Sequence, residues 1–199
     1  MNAKSTLTAR ERLIAATAEQ LWANGYAATS PGDIQRAAGV GQGSMYHHFS
    51  GKPDLAAAAV RQLADSLDAE IADLLDAPGR SGLGRALAYL ERERDPLRGC
   101  RVGRLTSDPD VLRNVELREP IQANFATVQR RLAAALNEAR EGGEIDTTLD
   151  PEQTAATIVA VVQGAYVLAR ADQDPQAFTR AIDGACALLR RSTPQRTSP

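Results

Sequence analysis

Aromatic side chains make up only 4% of the 199 residues, cysteine occurs twice, and lysine stands only at positions 4 and 52. Two cysteines cannot staple a small secreted scaffold, and 15 glycines are far too few for a collagen-like repeat. Charge of one sign is also missing: 23 basic side chains face 25 acidic ones, and 43% of the chain is hydrophobic. Disorder driven by self-repulsion is therefore excluded, and a nucleic-acid partner must be argued from a local motif rather than from net charge. Long apolar runs are absent. Residues 1–13 carry Lys4, Arg10, Glu11 and Arg12 without the apolar centre of a secretory signal, and residues 155–169 are short and interrupted by Thr157, Gln163 and Gly164. The expectation is a cytoplasmic protein with no membrane partner. Catalytic signatures are missing as well. There is no H-E-x-x-H, G-x-S-x-G or G-x-x-x-x-G-K-[ST], and Gly39, Gly41 and Gly43 do not follow a strand. No enzyme activity, cofactor or metal is expected.

Helix-start signals, in contrast, are dense. Thr8 with Glu11 fits a capping box, and Ser30-Pro31, Asp95-Pro96, Asp108-Pro109, Asp150-Pro151 and Asp174-Pro175 each pair a capping oxygen with a proline that loses no hydrogen bond. Apolar residues recur every three or four positions, so the chain reads as all-α. Helices are predicted at 8–24, 31–38, 42–48, 52–75, 81–93, 109–141, 151–171 and 175–191, with Gly25 ending the first in a left-handed cap. Pro120 predicts a kink or split in the sixth. Asp65, Asp68, Glu70, Asp73 and Asp76 read as a solvated face. A head at 1–54 and a body at 55–191 are expected to meet inside the long helix, near residues 55–62, with 192–199 a flexible tail.

The sharpest pattern is S-P-G-D-I-Q-R-A-A-G-V-G-Q-G-S-M-Y-H-H-F at residues 30–49. Two short helices meet at Ala38-Gly39-Val40, where glycine supplies the positive φ of a tight turn. Helical spacing points Ile34, Ala38, Val40, Met45 and Phe49 inward and leaves Gln42, Gly43, Ser44, Tyr46, His47 and His48 outward. This is a helix-turn-helix whose second helix is free to enter a major groove. Gly43 permits close backbone approach, and the exposed hydroxyl, phenol and imidazole groups suit phosphates and base edges. His47 and His48 diverge by about 100° as neighbours on a helix, so they cannot hold one metal together. Trp22 and Tyr26 read as core rather than as a stacking platform for bases.

With T-S-P-G-D-I, A-G-V, G-S-M-Y-H-H-F and G-K-P-D-L in this order, residues 8–55 resemble the TetR family of bacterial transcriptional repressors. G-C-R-V-G at 99–103, G-E-I at 143–145 and L-D-P-E at 149–152 look like one subgroup of it. The resemblance implies a homodimer, a double-stranded operator of two-fold symmetry, and a small-molecule effector held in a variable pocket of the body. It also maps Thr29 and Lys52 onto positions that touch the phosphate backbone. Gln35 stands where the family usually has a small alanine and Gly41 where a capping serine is common, which predicts a looser head. The rival is an all-helical interaction or adaptor protein that does not read DNA, from which salt-dependent duplex binding separates it.

The body holds only four aromatics, Tyr89, Phe125, Tyr166 and Phe178. A pocket between its helices would be lined mostly by aliphatic groups and suit a small, largely apolar molecule. Tyr89, Phe125 and Tyr166 are its expected wall, with Gln163 or Arg104 as orienting groups. Cys100, between Arg98 and Arg101, reads as a small buried residue near that pocket, with a reactive thiolate as the alternative. Cys186 reads as core. Ile158, Val162, Ala165, Ala169, Ile182, Ala185, Leu188 and Leu189 are the expected dimer-forming residues, because helices apolar nearly all round need two partners.

Overall fold

The computed structural model describes residues 7–192, so all of the expected tail except Ser192 lies outside the described residues. Among the described residues every regular element is helical: α1 Ala9–Asn24, α2 Pro31–Ala38, α3 Gln42–His48, α4 Lys52–Leu75, α5 Gly82–Glu91, a 3-10 turn Gly103–Ser107, α6 Pro109–Arg113, α7 Val115–Glu141, α8 Pro151–Asp172 and α9 Pro175–Arg191. They form two compact units. One joins the residues up to Ser66 with Arg101–Gln122; the other joins Leu67–Cys100 with the residues from Ala123 onward. The division inside α4 thus falls later than residue 54, and a segment from the middle of the chain belongs with the head.

In the first unit, Thr8 Oγ1 accepts the Glu11 amide at 3.2 Å while the Glu11 carboxylate accepts the Thr8 amide at 2.7 Å, completing the capping box of α1. Leu13, Ile14, Thr17, Ala18 and Leu21 are buried, whereas Trp22 is only half-buried and carries the Arg101 guanidinium 5.5 Å above its ring. Gly25 ends the helix at φ 83° and ψ 174°, a positive φ but not the left-handed helical cap expected. Ser30 caps α2, and Gly39 takes the left-handed conformation, φ 62° and ψ 40°, that turns the chain into α3. Gln35 reaches across to α3. Its amide Nε2 sits 3.2 Å from the Met45 sulfur, filling the space between α2 and α3. Gly41 provides no side-chain cap to α3.

The helix is not split at Pro120. Pro120 lies inside an unbroken α7, and the split comes at Asn114, whose side-chain oxygen accepts the Glu116 amide at 2.9 Å. An N-cap satisfies an otherwise orphaned donor, whereas a proline in an early turn removes only one. The residues read as a solvated acidic face are also partly engaged: Asn124 donates to Asp68, Arg131 pairs with Asp76, and Arg92 lies 3.5 Å from Glu70. These partners all belong to the second unit, where α8 packs on α9, and Tyr166 and Phe178 meet at 4.8 Å.

Candidate nucleic-acid interface and ligand cavity

α3 stands on a closed apolar base. Ile34, Ala38, Val40, Met45 and Phe49 are all buried, as their spacing predicts, and Met45 anchors the helix with 0% of its surface exposed. On the opposite face Gln42, Gly43, Tyr46, His47 and His48 are exposed, with Ser44 half-buried beside them. Tyr46 is one of the large hydrophobic side chains left exposed among the described residues, with 50% of its surface in solvent. The His47 and His48 rings meet edge to face at 5.1 Å. A β-carbon on Gly43 would meet nothing within 4 Å, so internal packing does not require glycine there.

The two flanking residues differ from expectation. Thr29 is buried, and its hydroxyl donates to the Gly25 carbonyl at 2.7 Å, closing the turn between α1 and α2. Its side chain is not presented to phosphate. Lys52, the first residue of α4, lies half-buried with its ammonium 4.2 Å over the Tyr26 ring. Burial holds its pKa below the ordinary lysine value, against the opposing field of Asp108 and Asp110.

In the second unit, Tyr89, Phe125, Gln163 and Tyr166 line one cavity together, as expected, with Leu67, Ile71, Arg92, Cys100, Asn124, Val128 and Val162. The cavity has about 10 Å³ of free space, room for about one water molecule. Arg104 is not part of it. Its guanidinium donates to the Trp22 carbonyl, in the first unit, 82 residues away in sequence. The cationic group in the cavity wall is Arg92, whose Nε is buried without a hydrogen-bond partner. It follows Tyr89 by three positions and caps the end of α5. Asn124 carried a signal too, as the polar member of the buried stripe Leu117, Ile121, Asn124, Val128 and Leu132.

Burial pushes the Tyr166 phenol up to about 12, and the Tyr89 phenol rises for the same reason, with Arg94 opposing. Both hydroxyls therefore stay protonated and able to donate. Arg94 donates to the carbonyls of Leu90 (2.7 Å) and Arg92 (3.0 Å) at the end of α5 and stacks over Tyr89 at 5.2 Å. The walls thus combine aliphatic surface with several donors, among them the unbonded Nε–H of Arg92.

Of the residues expected to form a dimer interface, Ile158, Val162, Ala165, Ala169, Ile182 and Leu189 are buried within their own chain by the packing of the second unit. Ala185 is half-buried and Leu188 is 71% exposed. The outward apolar side chains are Val167, Leu168 and Leu188, near Gly164 and Gly184, which face open space. The helices are apolar on two faces, but the inner one is already used.

Residues 13–59 match the family model of bacterial regulatory proteins, tetR family, and residues 80–185 match the tetracyclin repressor-like C-terminal domain. The chain is 30% identical over 185 residues to the transcriptional regulator AcuR of Cereibacter sphaeroides, covering 86% of this chain and 82% of that protein. The regulatory protein TetR from Rhodobacter sphaeroides has a similar structure, with a TM-score of 0.80 at 25% identity over 90% of this chain and 97% of that one. A TetR transcriptional regulator from Chloroflexus aurantiacus gives 0.79 at 28% identity, over 91% and 93%.

Proposed function

The chain belongs to the TetR family of bacterial regulatory proteins, and from that premise we propose that it is a cytoplasmic, homodimeric repressor released from a palindromic operator by a small effector. The observation that carries the DNA-binding role is the outward row Gln42, Gly43, Tyr46, His47 and His48 on a helix pinned from beneath by Met45. In that role Gln42 and His47 face base edges, while Ser44, Tyr46 and His48 lie toward phosphates and sugar edges. The two recognition helices of a dimer would read half-sites one duplex turn apart, about 34–36 Å.

The effector reading rests on the cavity of Tyr89, Phe125, Gln163 and Tyr166. Its aliphatic walls favour a small, largely apolar molecule, which Arg92 and Asn124 would orient in place of Arg104. A cavity that holds about one water when empty must open to admit it, so the effector selects a minor, expanded conformation. It releases DNA only if that conformation holds the operator less tightly.

The experiment is retention of fragments of the protein's own genome, followed by binding to the retained duplex across a salt series. Tyr46→Ala should weaken binding to all duplexes about tenfold, whereas Gln42→Ala and His47→Ala should change which base is preferred. Unchanged affinity in Tyr46→Ala would remove α3 from the interface. Retention of no fragment at low salt would remove the DNA-binding role.

A further inference from the structure

Two arginines stand two positions apart where α5 ends, and among the described residues neither meets a buried carboxylate. Arg92 caps the helix with only 18% of its side chain exposed. Its Nη1 lies 3.5 Å from Glu70, which is 44% exposed, while its Nε is buried without a hydrogen-bond partner and the residue lines the cavity. Asp68, on the same helix as Glu70, accepts from the Asn124 amide. Arg94 is committed elsewhere: it donates to the carbonyls of Tyr89, Leu90 and Arg92, which the helix end leaves open. Its guanidinium lies 5.2 Å from the centre of the Tyr89 ring and 5.8 Å from that of Phe178. Carbonyl dipoles and ring faces hold that cation in place but leave its charge uncancelled. Burial first, and then the field of Arg92, push the Arg94 pKa below the ordinary arginine value, as expected of two cations on one short segment.

From these contacts we infer that the effector is a small carboxylate with an apolar body, its anionic end on the Nε–H side of Arg92 and its body among Leu67, Ile71, Phe125 and Val128. This rests on the reading of that cavity as the effector site, and it adds a charge to the largely apolar molecule proposed there. A buried donor without an acceptor is costly, and a charged one more so, so an occupant that satisfies the Nε–H gains what the empty protein forgoes. A carboxylate fits a guanidinium as a fork, its two oxygens taking two parallel N–H bonds. With Nη1 turned to Glu70, the Nε–H side is the one left for it. A neutral amide or alcohol can accept one such bond but leaves both cations uncompensated. The Tyr89 and Tyr166 phenols, which burial keeps protonated, and the Gln163 amide can donate to an anion without repelling it. The Glu70 carboxylate opposes an arriving anion, so its charge weakens the binding.

The test is calorimetry of the purified full-length protein with matched probes, hexanoate against hexanamide and benzoate against benzamide, so that neither the operator nor the natural effector need be known. The acids should bind about tenfold or more tightly than their amides. Arg92→Gln should abolish that preference, and Arg92→Lys should keep part of it, since an ammonium supplies charge without the fork. Glu70→Gln, at an exposed position, should tighten acid binding about threefold and leave the amides unchanged, which keeps the inference open to refutation if an Arg92 variant folds poorly. Phe125→Ala should weaken acid and amide alike. Amides that bind as well as the acids, or an acid preference that survives in Arg92→Gln, would overturn the inference while leaving the cavity as the effector site. Binding of neither class, or binding of both that Phe125→Ala leaves unchanged, would overturn both.

Discussion

Gly82 and Ala135 approach so closely that a β-carbon on residue 82 would press into the Ala135 carbonyl oxygen and stand 2.7 Å from the Ala139 amide nitrogen. The start of α5 is thereby seated directly on the backbone of α7 at Ala135 and Ala139. Gly82→Ala gains about 1 kcal/mol of helix propensity but forces the two backbones apart, an overpacking cost of about 1–3 kcal/mol or more. The variant should melt several degrees lower, at about 2–4 °C per kcal/mol for a chain of this size. Gly32→Ala, where the nearest atom to an added β-carbon is 3.8 Å away, should leave the melting temperature unchanged or raise it. Equal melting of Gly82→Ala and the wild type would show that the α5–α7 approach is not tight in solution.

The first turn of α1 should be acid-sensitive. The hydrogen bond from the Thr8 backbone, and then that from its hydroxyl, hold the Glu11 carboxyl below its ordinary 4.5. A depressed folded-state pKa means the stabilisation is complete above the unfolded value and is lost as pH falls through the folded one. Fraying of α1 should therefore set in below about pH 4.5 and not above it. An NMR titration checks this: in Thr8→Ala, which keeps the backbone donor and removes the hydroxyl, the Glu11 carboxyl should return part of the way toward 4.5, and an unchanged titration would show that the hydroxyl half of the capping box does not persist in solution.

The head was legible because its determinants are local. The helix periods that bury Ile34, Ala38, Val40, Met45 and Phe49 are written within 16 residues, and Gly39 marks the turn between them. Asn114 was equally visible as a cap, but the proline five residues inside α7 looked like the stronger breaker. Around the cavity, Tyr89, Phe125 and Tyr166 were named from the scarcity of aromatics in the body and Gln163 as an orienting group, while Arg92 and Asn124 were missed although Asn124 stands on the buried stripe of α7. Arg104 could not have been placed from sequence, since its partner is a backbone carbonyl 82 residues away. Backbone acceptors have no residue signature. Asp68 likewise reads as solvated until the fold brings Asn124 to it.

Dimerisation should depend on the outward side chains and not on the buried ones. Leu188→Arg places a charge at a position that is 71% exposed in the protomer, so the monomer should fold normally. If Leu188 lies in the homodimer interface, that buried, unpaired charge should raise the dimer dissociation constant by about 100-fold or more. Ile158→Ala, in contrast, removes volume from the protomer's own core and should lower the melting temperature in monomer and dimer alike. Sedimentation velocity across a concentration series separates the two. A Leu188→Arg protein that remains dimeric at the wild-type concentration would place the interface elsewhere.

Effector response should require opening of the cavity, and the residues that shape it should separate from the one that does not. Tyr166 packs on Phe178, Phe125 is half-buried, and Arg92 pairs with the exposed Glu70 at 3.5 Å. Truncating Phe125 or Tyr166 to alanine removes apolar contact with any occupant and should raise the effector concentration for half-release of DNA about tenfold or more. Arg92→Gln should also change the response, because it alters the one charged group in the cavity wall. Arg104→Gln should leave effector affinity unchanged, since Arg104 bonds the Trp22 carbonyl in the other unit. The measurement is titration of a panel of small apolar compounds into the complex of protein and retained operator fragment, with direct calorimetry of any compound that releases it. If an active compound releases Phe125→Ala and Tyr166→Ala at the wild-type concentration, its site is not this cavity. Weakened compound binding in Arg104→Gln, with the other variants unaffected, would move the site to the first unit.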